Sequence, residues 1–186
     1  MKKFELTTEF ITNAFGKKLF RIKALVEFGD VKAGELGGYV EKEGNVSQAD
    51  NAWVYGDARV YGDACVSGNA RVSGNAWVSG NARVYGDARV YGDARVYGNA
   101  EVYGDARVSG NADYALVQGF GTEFRCTTFY RGKNKKIMVN CGCFHGDLEG
   151  FRKQVKETRN GKIAKEYLMI ADLMEYHFTS EDSSDE

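Results

Sequence analysis

The amino-acid sequence predicts a mainly β protein built around a parallel β-helix. Residues 51–110 are ten consecutive copies of one six-residue unit, [DN]-A-x-V-[YS]-G. A period of six, with an aliphatic residue in one column and a small residue in another, is typical of this kind of solenoid. The absence of proline from all 186 residues agrees with this fold, because nearly every backbone amide of a solenoid is needed in a ladder.

Each repeat unit predicts one short strand followed by one corner. Ala-x-Val-[YS] forms the strand, and Gly with Asn or Asp forms the bend, because these residues tolerate positive φ at low cost. Side chains alternate across a strand, so the Val and Ala columns face the interior while the x and Tyr/Ser columns face outward. Three units close one coil of eighteen residues, and successive coils stack about 4.8 Å apart.

The repeat resembles that of the hexapeptide-repeat proteins, whose fold is a left-handed parallel β-helix. Their motif places an aliphatic residue four positions before a small one, as in Val54 with Ala58 and Val60 with Ala64. The flanks FRIKAL…FGDVKAGELGGYVEKEGNVSQADNAWVYGDA and TTFY…VNCGCFHG look more closely like uncharacterised bacteriophage and prophage proteins, which carry a transferase label because of the repeat alone. Well-known members of the wider family are trimeric acyltransferases, nucleotidyl-sugar enzymes and γ-type carbonic anhydrases. The resemblance therefore implies a homo-oligomer, and a trimer is expected.

Composition divides the chain into four segments. We expect an N-terminal β cap at 1–38, the β-helix at 39–121, a small C-terminal α+β cap at 122–178 and a disordered acidic tail at 179–186. Within the first cap, the alternating residues 19–26 predict a strand. When the column of small residues in the repeat is extended towards the N-terminus in steps of six, it passes through Val46 and Val40. The first coil should therefore begin near Tyr39.

The C-terminal cap begins with a predicted hairpin. Residues 124–131 and 136–141 indicate two strands joined by a four-residue loop, and direct pairing across that loop would place Cys126 opposite Cys141. A zinc site with three thiolates and one histidine would then comprise Cys126, Cys141, Cys143 and His145. The alternatives are thiols packed in a small core, and a catalytic thiol at Cys141 with His145 nearby.

Two helices are expected after the hairpin. Asp147 can cap a helix over 148–158, and the Asn160-Gly161 break separates it from a second helix over 162–177. Apolar residues at helical spacing predict that both helices pack one face against the hairpin.

The outward columns of the repeat carry the distinctive chemistry. The three faces hold Trp53, Arg71, Arg89 and Arg107; Arg59, Trp77, Arg95 and Asp113; and Cys65, Arg83 and Glu101. Guanidinium groups hold phosphate or carboxylate in a fork and stack on aromatic rings. The predicted ligand-binding residues are Trp53, Arg59, Arg71, Trp77, Arg83, Arg89, Tyr91, Arg95 and Arg107. The alternative is that these side chains solvate the wall or form the contact between subunits.

Catalysis on this scaffold would require a base or a metal ligand on the wall. The acyltransferases that the repeat resembles use an interface histidine, and the carbonic anhydrases hold zinc with three histidines. This chain has no histidine before His145, and no inserted loop interrupts the repeats. We therefore assign no catalytic residue and no cofactor, and an acyl- or nucleotide-sugar transferase and a structural or protein-binding module stay as alternatives.

The charge balance narrows the expected partners. A net charge of −1 argues against bulk binding of a nucleic acid polymer or a membrane surface. The chain has no apolar run long enough for a membrane span, and its first residues lack a signal peptide, so we expect a cytoplasmic protein. The sequence thus favours a phage-type binding protein that sequesters a nucleotide-like immune signal of the host at trimer interfaces.

Overall fold

The computed structural model describes residues 2–179, which form two compact units that divide between Asn111 and Ala112. The sequence predicts that the β-helix ends at residue 121. The division comes earlier because Tyr114–Phe120 is a strand of the second unit. Thr179 is the last residue of a helix and not the start of a tail, and the remaining predicted tail, 180–186, lies outside the described residues.

The first unit opens with an antiparallel extension of the solenoid. Strands β1 (Phe4–Thr12) and β2 (Lys18–Ala24) form a hairpin, and β2 pairs antiparallel with β3 (Leu36–Val40). The predicted strand at 19–26 is thereby confirmed as β2. Strand β1 was missed, because a register shift between Leu6 and Phe10 interrupts its alternation.

Ten two-residue strands follow in residues 53–108, one for each repeat. Strands β4 to β13 are Trp53–Val54, Arg59–Val60, Cys65–Val66, Arg71–Val72, Trp77–Val78, Arg83–Val84, Arg89–Val90, Arg95–Val96, Glu101–Val102 and Arg107–Val108. Strands three apart in this series pair in parallel, which gives the sheets β4-β7-β10-β13 and β6-β9-β12. The third set, β5-β8-β11, continues the sheet of β1, β2 and β3, so that its order is β1-β2-β3-β5-β8-β11. The predicted mainly β solenoid with an eighteen-residue coil is confirmed. Left-handedness stays a prediction.

The interior of the solenoid is made of the Val and Ala columns, as predicted. Val54, Val72, Val90 and Val108 pair in one register, and each is 0% exposed. At the corners the repeat glycines adopt positive φ, for example +69° at Gly68.

The first coil contains two extra residues, which corrects our placement of its columns. Val40 pairs with Val60 and Val46 bridges to Val66, so both lie in the valine column and not in the small column. Both pairs are separated by 20 residues, whereas later coils repeat every 18. The start of the coils near Tyr39 is confirmed, because Tyr39 pairs in parallel with Arg59.

Buried polar side chains complete the backbone hydrogen bonds at the start of the solenoid. The Lys3 ammonium donates to the carbonyl oxygens of Asp50 and Ala52, both at 2.8 Å, and burial lowers the pKa of Lys3 to about 8. The Asn45 amide donates to the Ala64 carbonyl oxygen at 2.8 Å. These donors replace the amides that a preceding coil would supply.

The second unit is an antiparallel sheet with two helices, as the α+β prediction requires. Its strands β14 (Tyr114–Phe120), β15 (Arg125–Arg131), β16 (Ile137–Cys141) and β17 (Phe144–Asp147) lie in that order, followed by α1 (Leu148–Thr158) and α2 (Gly161–Thr179). The Asp147 side chain accepts a hydrogen bond from the Gly150 amide at 2.9 Å, so the predicted N-cap is confirmed. The buried core combines Phe129 and Val139 of the sheet with Phe151 of α1.

The hairpin register differs by one residue from our prediction. Thr127, and not Cys126, lies opposite Cys141, and the loop between the strands is residues 132–136. Thr127 Oγ1 donates to Cys141 Sγ at 3.1 Å. Because neighbouring residues face opposite sides of a strand, Cys126 and Cys141 lie on opposite faces of this sheet. The geometry that suggested the zinc site is therefore wrong.

Candidate functional site

The first face of the solenoid holds a column of three stacked arginines. Arg89 pairs directly with Arg71 on one side and with Arg107 on the other, at the ladder spacing of about 4.8 Å. We call Arg71, Arg89 and Arg107 the arginine column. An open groove of about 590 Å³ runs along it, here called the wall groove, lined by Tyr55, Arg71, Ser73, Arg89, Tyr91 and Arg107.

One end of the arginine column is already neutralised within the chain. Arg71 forms an ion pair with Asp30, with an N–O distance of 2.7 Å. Desolvation is the largest single influence on Asp30 and opposes its ionisation, but hydrogen bonds from Arg71, the backbone and Tyr55, together with the Arg71 charge, lower the Asp30 pKa below its usual value. Burial raises the pKa of Tyr55 to about 12, so its hydroxyl stays protonated and donates to Asp30 at 3.2 Å.

Arg107 and Arg89, the other two members of the column, differ from Arg71 in their hydrogen bonding. Arg107 donates to the backbone carbonyl oxygens of Ala106 at 2.9 Å and Asp87 at 3.1 Å, and forms no ion pair within residues 2–179. The Arg89 guanidinium is exposed, and among the described residues it has neither an ion pair nor a side-chain hydrogen bond. Its charge is therefore available to a ligand.

The two sides of the arginine column have opposite character. The side away from the wall groove is a corner column in which Asn51 donates to Asn69, and Asn69 donates to Asp87, each at 3.0 Å. Asp87 and Asp105 then place two carboxylates beside Arg89, in a second groove. The wall-groove side presents hydroxyls and aromatic rings instead, and Tyr91 is 39% exposed. The two carboxylates make the second groove less favourable for an anion than the wall groove.

The second face carries a different arrangement, in which a tryptophan lies between two arginines. The guanidinium carbons of Arg59 and Arg95 lie 5.2 Å and 4.8 Å from the Trp77 ring centroid, within cation–π range. The buried Nε of Arg59 has no hydrogen-bond partner in residues 2–179. Tyr97 on the same face is 59% exposed.

Trp53 is not available on the wall, contrary to our expectation. It is 0% exposed and packs edge-on against Phe4 at 5.8 Å and Phe28 at 5.3 Å between ring centroids. Its side chain leaves the coil outward, as the pattern requires, but the N-terminal segment covers it. Gly37 permits this packing, because a Cβ there would lie 2.7 Å from the Trp53 ring.

The nine residues predicted to bind a ligand thus separate over three faces. The structure brings Arg71, Arg89, Tyr91 and Arg107 together at the wall groove, places Arg59, Trp77 and Arg95 on the second face and Arg83 on the third, and buries Trp53. The ligand-binding residues predicted from the sequence did not include Tyr55 and Ser73, although both stand in the outward columns of the first face. The prediction also missed Asp30, which no repeat pattern indicates.

The cysteines do not form a cluster of the kind proposed for zinc. None of Cys65, Cys126, Cys141 and Cys143 forms a disulfide bond within residues 2–179. In residues 2–179 no group of three or more His, Cys, Asp or Glu side chains is placed to hold a metal ion. His145 pairs with Asn140 across β16 and β17, and partial burial lowers the pKa of His145.

Comparison with known families supports the repeat fold. A family model described as YdcK beta solenoid repeat matches residues 64–80, 76–92, 82–98 and 88–101. The chain therefore carries β-solenoid repeats similar to those of that family, across the central coils that hold Arg71 and Arg89. No curated protein matches the chain. No helix in the described part of the chain is long and apolar enough to cross a membrane.

Proposed function

We propose that the protein is a binding protein that holds a phosphate-bearing, nucleotide-like ligand in the wall groove without turning it over. The observation that carries this proposal is the environment of Arg89. This residue has an exposed guanidinium that lacks an ion pair within residues 2–179 and is stacked between two further arginines. The backbones of these arginines lie about 4.8 Å apart, so their like charges are held near one another and repel, and a bound anion relieves that repulsion.

The charges around the column support binding of the phosphates at one end of it. Asp30 neutralises Arg71, so the strongest attraction lies at Arg89 and Arg107. Asp87 and Asp105 repel an anion from the opposite side, which directs it towards Ser73 and Tyr91. Bidentate contacts of the Arg89 and Arg107 guanidinium groups with phosphate account for the affinity and the orientation of the ligand.

Aromatic rings beside the arginines favour a ligand that also carries a base. Tyr91 is partly exposed in the same groove and offers a flat apolar surface with a hydroxyl. Both histidines of the chain, His145 and His177, lie outside the repeats, which agrees with binding and not with acid–base catalysis on the wall.

The same proposal includes self-association through the flat faces, with a trimer expected. The Arg59–Trp77–Arg95 stack and the exposed Tyr97 are of the residue types that protein interfaces favour. A ligand held where two faces meet would lose most of its contact with water. The further assignment, a nucleotide-type immune signal of a bacterial host bound by a phage protein, follows from the resemblance described above.

Isothermal titration with cyclic dinucleotides, ADP-ribose and coenzyme A tests the proposal. At least one of these ligands should bind the wild-type protein, with affinity that falls as salt rises. Arg89→Gln should weaken that binding about 10- to 100-fold, the loss expected for charge-assisted hydrogen bonds. Chromatography of ligand recovered after denaturation should show it chemically intact.

Arg83 supplies the matched control, because it is also exposed but lies on the third face. Arg83→Gln should bind as the wild type does. Equal losses in both variants would indicate unspecific attraction, and an unaffected Arg89→Gln would refute the site. A chemically altered ligand would instead support the transferase alternative. Native mass spectrometry of the wild type should show a trimer.

A further inference from the structure

The C-terminal unit contains a cavity of about 200 Å³ that is separate from the wall groove. Its apolar lining is Phe144 at the start of β17 together with Phe151 and Val155 of α1. Phe144 and Phe151 lie 5.6 Å apart between ring centroids, and Phe151 meets Tyr167 edge-on at 5.9 Å. The packed rings form a rigid apolar lining.

Charged groups line the same cavity. Arg125 at the start of β15 and Arg159 after α1 both contribute to its wall, and Glu123 is the one carboxylate in the lining. These three side chains leave a net charge of +1. The balance suits a monoanion better than a polyphosphate.

Two glycines permit the close packing of polar groups at this cavity. A Cβ at Gly142 would lie 2.6 Å from an Arg125 guanidinium nitrogen, and a Cβ at Gly121 would lie 2.5 Å from the Tyr167 hydroxyl. Tyr167 is fixed there, because its hydroxyl donates to the Phe120 carbonyl oxygen at 3.2 Å. The bare backbone thus leaves room for a guanidinium and a phenol at the edge of this cavity.

We propose that this cavity binds a small organic monoanion, with its carboxylate on Arg125 and Arg159 and its apolar body against Phe144 and Phe151. The volume agrees with this class of ligand, because an apolar cavity of about 150 Å³ suffices for benzene. About 200 Å³ adds space for one carboxylate. Nucleotides require larger pockets, of roughly 300 Å³ or more, so the ligand differs from that of the wall groove.

Benzoate is a suitable probe, with benzyl alcohol and inorganic phosphate as partial analogues. Titration of the full chain, followed by NMR of labelled backbone amides, should show saturable shifts in β15 and α1 with benzoate. Benzyl alcohol lacks the charge and phosphate lacks the ring, so each should bind at least about tenfold more weakly. Phosphate binding as tight as that of benzoate would overturn the proposal, as would no saturable shift with benzoate.

Variants separate the cavity from general surface charge. Arg159→Gln and Arg125→Gln should each weaken benzoate binding about tenfold or more, since each removes a charge-assisted contact. Lys156→Gln is the matched control, because Lys156 is an exposed cation of α1 that does not line the cavity. Unchanged binding in both arginine variants, or equal loss in Lys156→Gln, would refute the site.

The thiols give an independent readout. Cys143 is exposed and lines the cavity, so benzoate should slow its alkylation by N-ethylmaleimide, measured by mass spectrometry of peptides. Cys65 lies on the solenoid wall and serves as the internal reference. Alkylation of Cys143 at the same rate with and without saturating benzoate would contradict occupancy of the cavity.

Discussion

A pair of glycine substitutions can isolate the contribution of coil stacking to stability. Gly56 and Gly68 occupy the same corner position of the repeat, with φ of +59° and +69°. A Cβ on Gly56 would meet nothing within 4 Å, whereas a Cβ on Gly68 would lie 2.9 Å from the Gly86 amide nitrogen. Gly56→Ala therefore tests the backbone conformation alone, and Gly68→Ala adds the approach of the next coil.

The expected losses in the free energy of unfolding follow from these two effects, the backbone conformation and the approach of the next coil. An alanine in the left-handed region costs about 1–2 kcal/mol, partly offset by about 0.4–1 kcal/mol from the stiffer unfolded chain. Gly56→Ala should therefore lower the free energy of unfolding by about 1 kcal/mol. Gly68→Ala should lose a further 1–3 kcal/mol or so, because the obstructing atom is backbone and cannot move without separating two coils.

Urea unfolding followed by circular dichroism measures both costs, with the slope of the transition checked for constancy. Gly68→Asn is a useful third variant, since Asn tolerates positive φ but retains the Cβ. It should stay less stable than Gly56→Asn. Equal losses at positions 56 and 68 would refute the claim that corner glycines are required for close stacking.

Three further predictions concern charge and burial. Asp30→Asn should release Arg71 and tighten nucleotide binding several-fold in the same titration; unchanged or weaker binding would show that Arg71 takes no part. Val90→Asp should cost more than about 4 kcal/mol in urea unfolding, since it places an unpaired charge at a 0% exposed site; a small loss would contradict the interior column. Between pH 8 and 10.5 the unfolded chain retains a proton that folded Lys3 has lost, so Lys3 should make the free energy of unfolding of the wild type rise with pH relative to that of Lys3→Met. The same pH dependence in both proteins would exclude this contribution of Lys3.

The sequence predicted the strand register correctly in the solenoid repeats but not in the C-terminal hairpin. Every outward residue of the strands in 51–110 was assigned to the correct face, because a strict period leaves one register for all coils. Asp113, which the period places on the second face, instead lies in the 3-10 helix Asn111–Asp113. In the C-terminal hairpin the register was wrong by one residue, since the loop is residues 132–136 and one extra loop residue shifts every pair. That shift moved Thr127 opposite Cys141 and removed the basis for a zinc site.

The amino-acid pattern was sufficient to predict the coil, its Val and Ala interior, the arginine column and the two helices. These features arise from local or periodic patterns, in which each residue's environment repeats from unit to unit. The folded structure was needed to show that Trp53 is covered, that Asp30 neutralises Arg71 from 41 positions away, and that Arg89 is left exposed between its neighbours. It also assembled the C-terminal cavity from β15, β17 and both helices. Such contacts join segments distant in the chain, and no sequence period specifies which loop folds over which face.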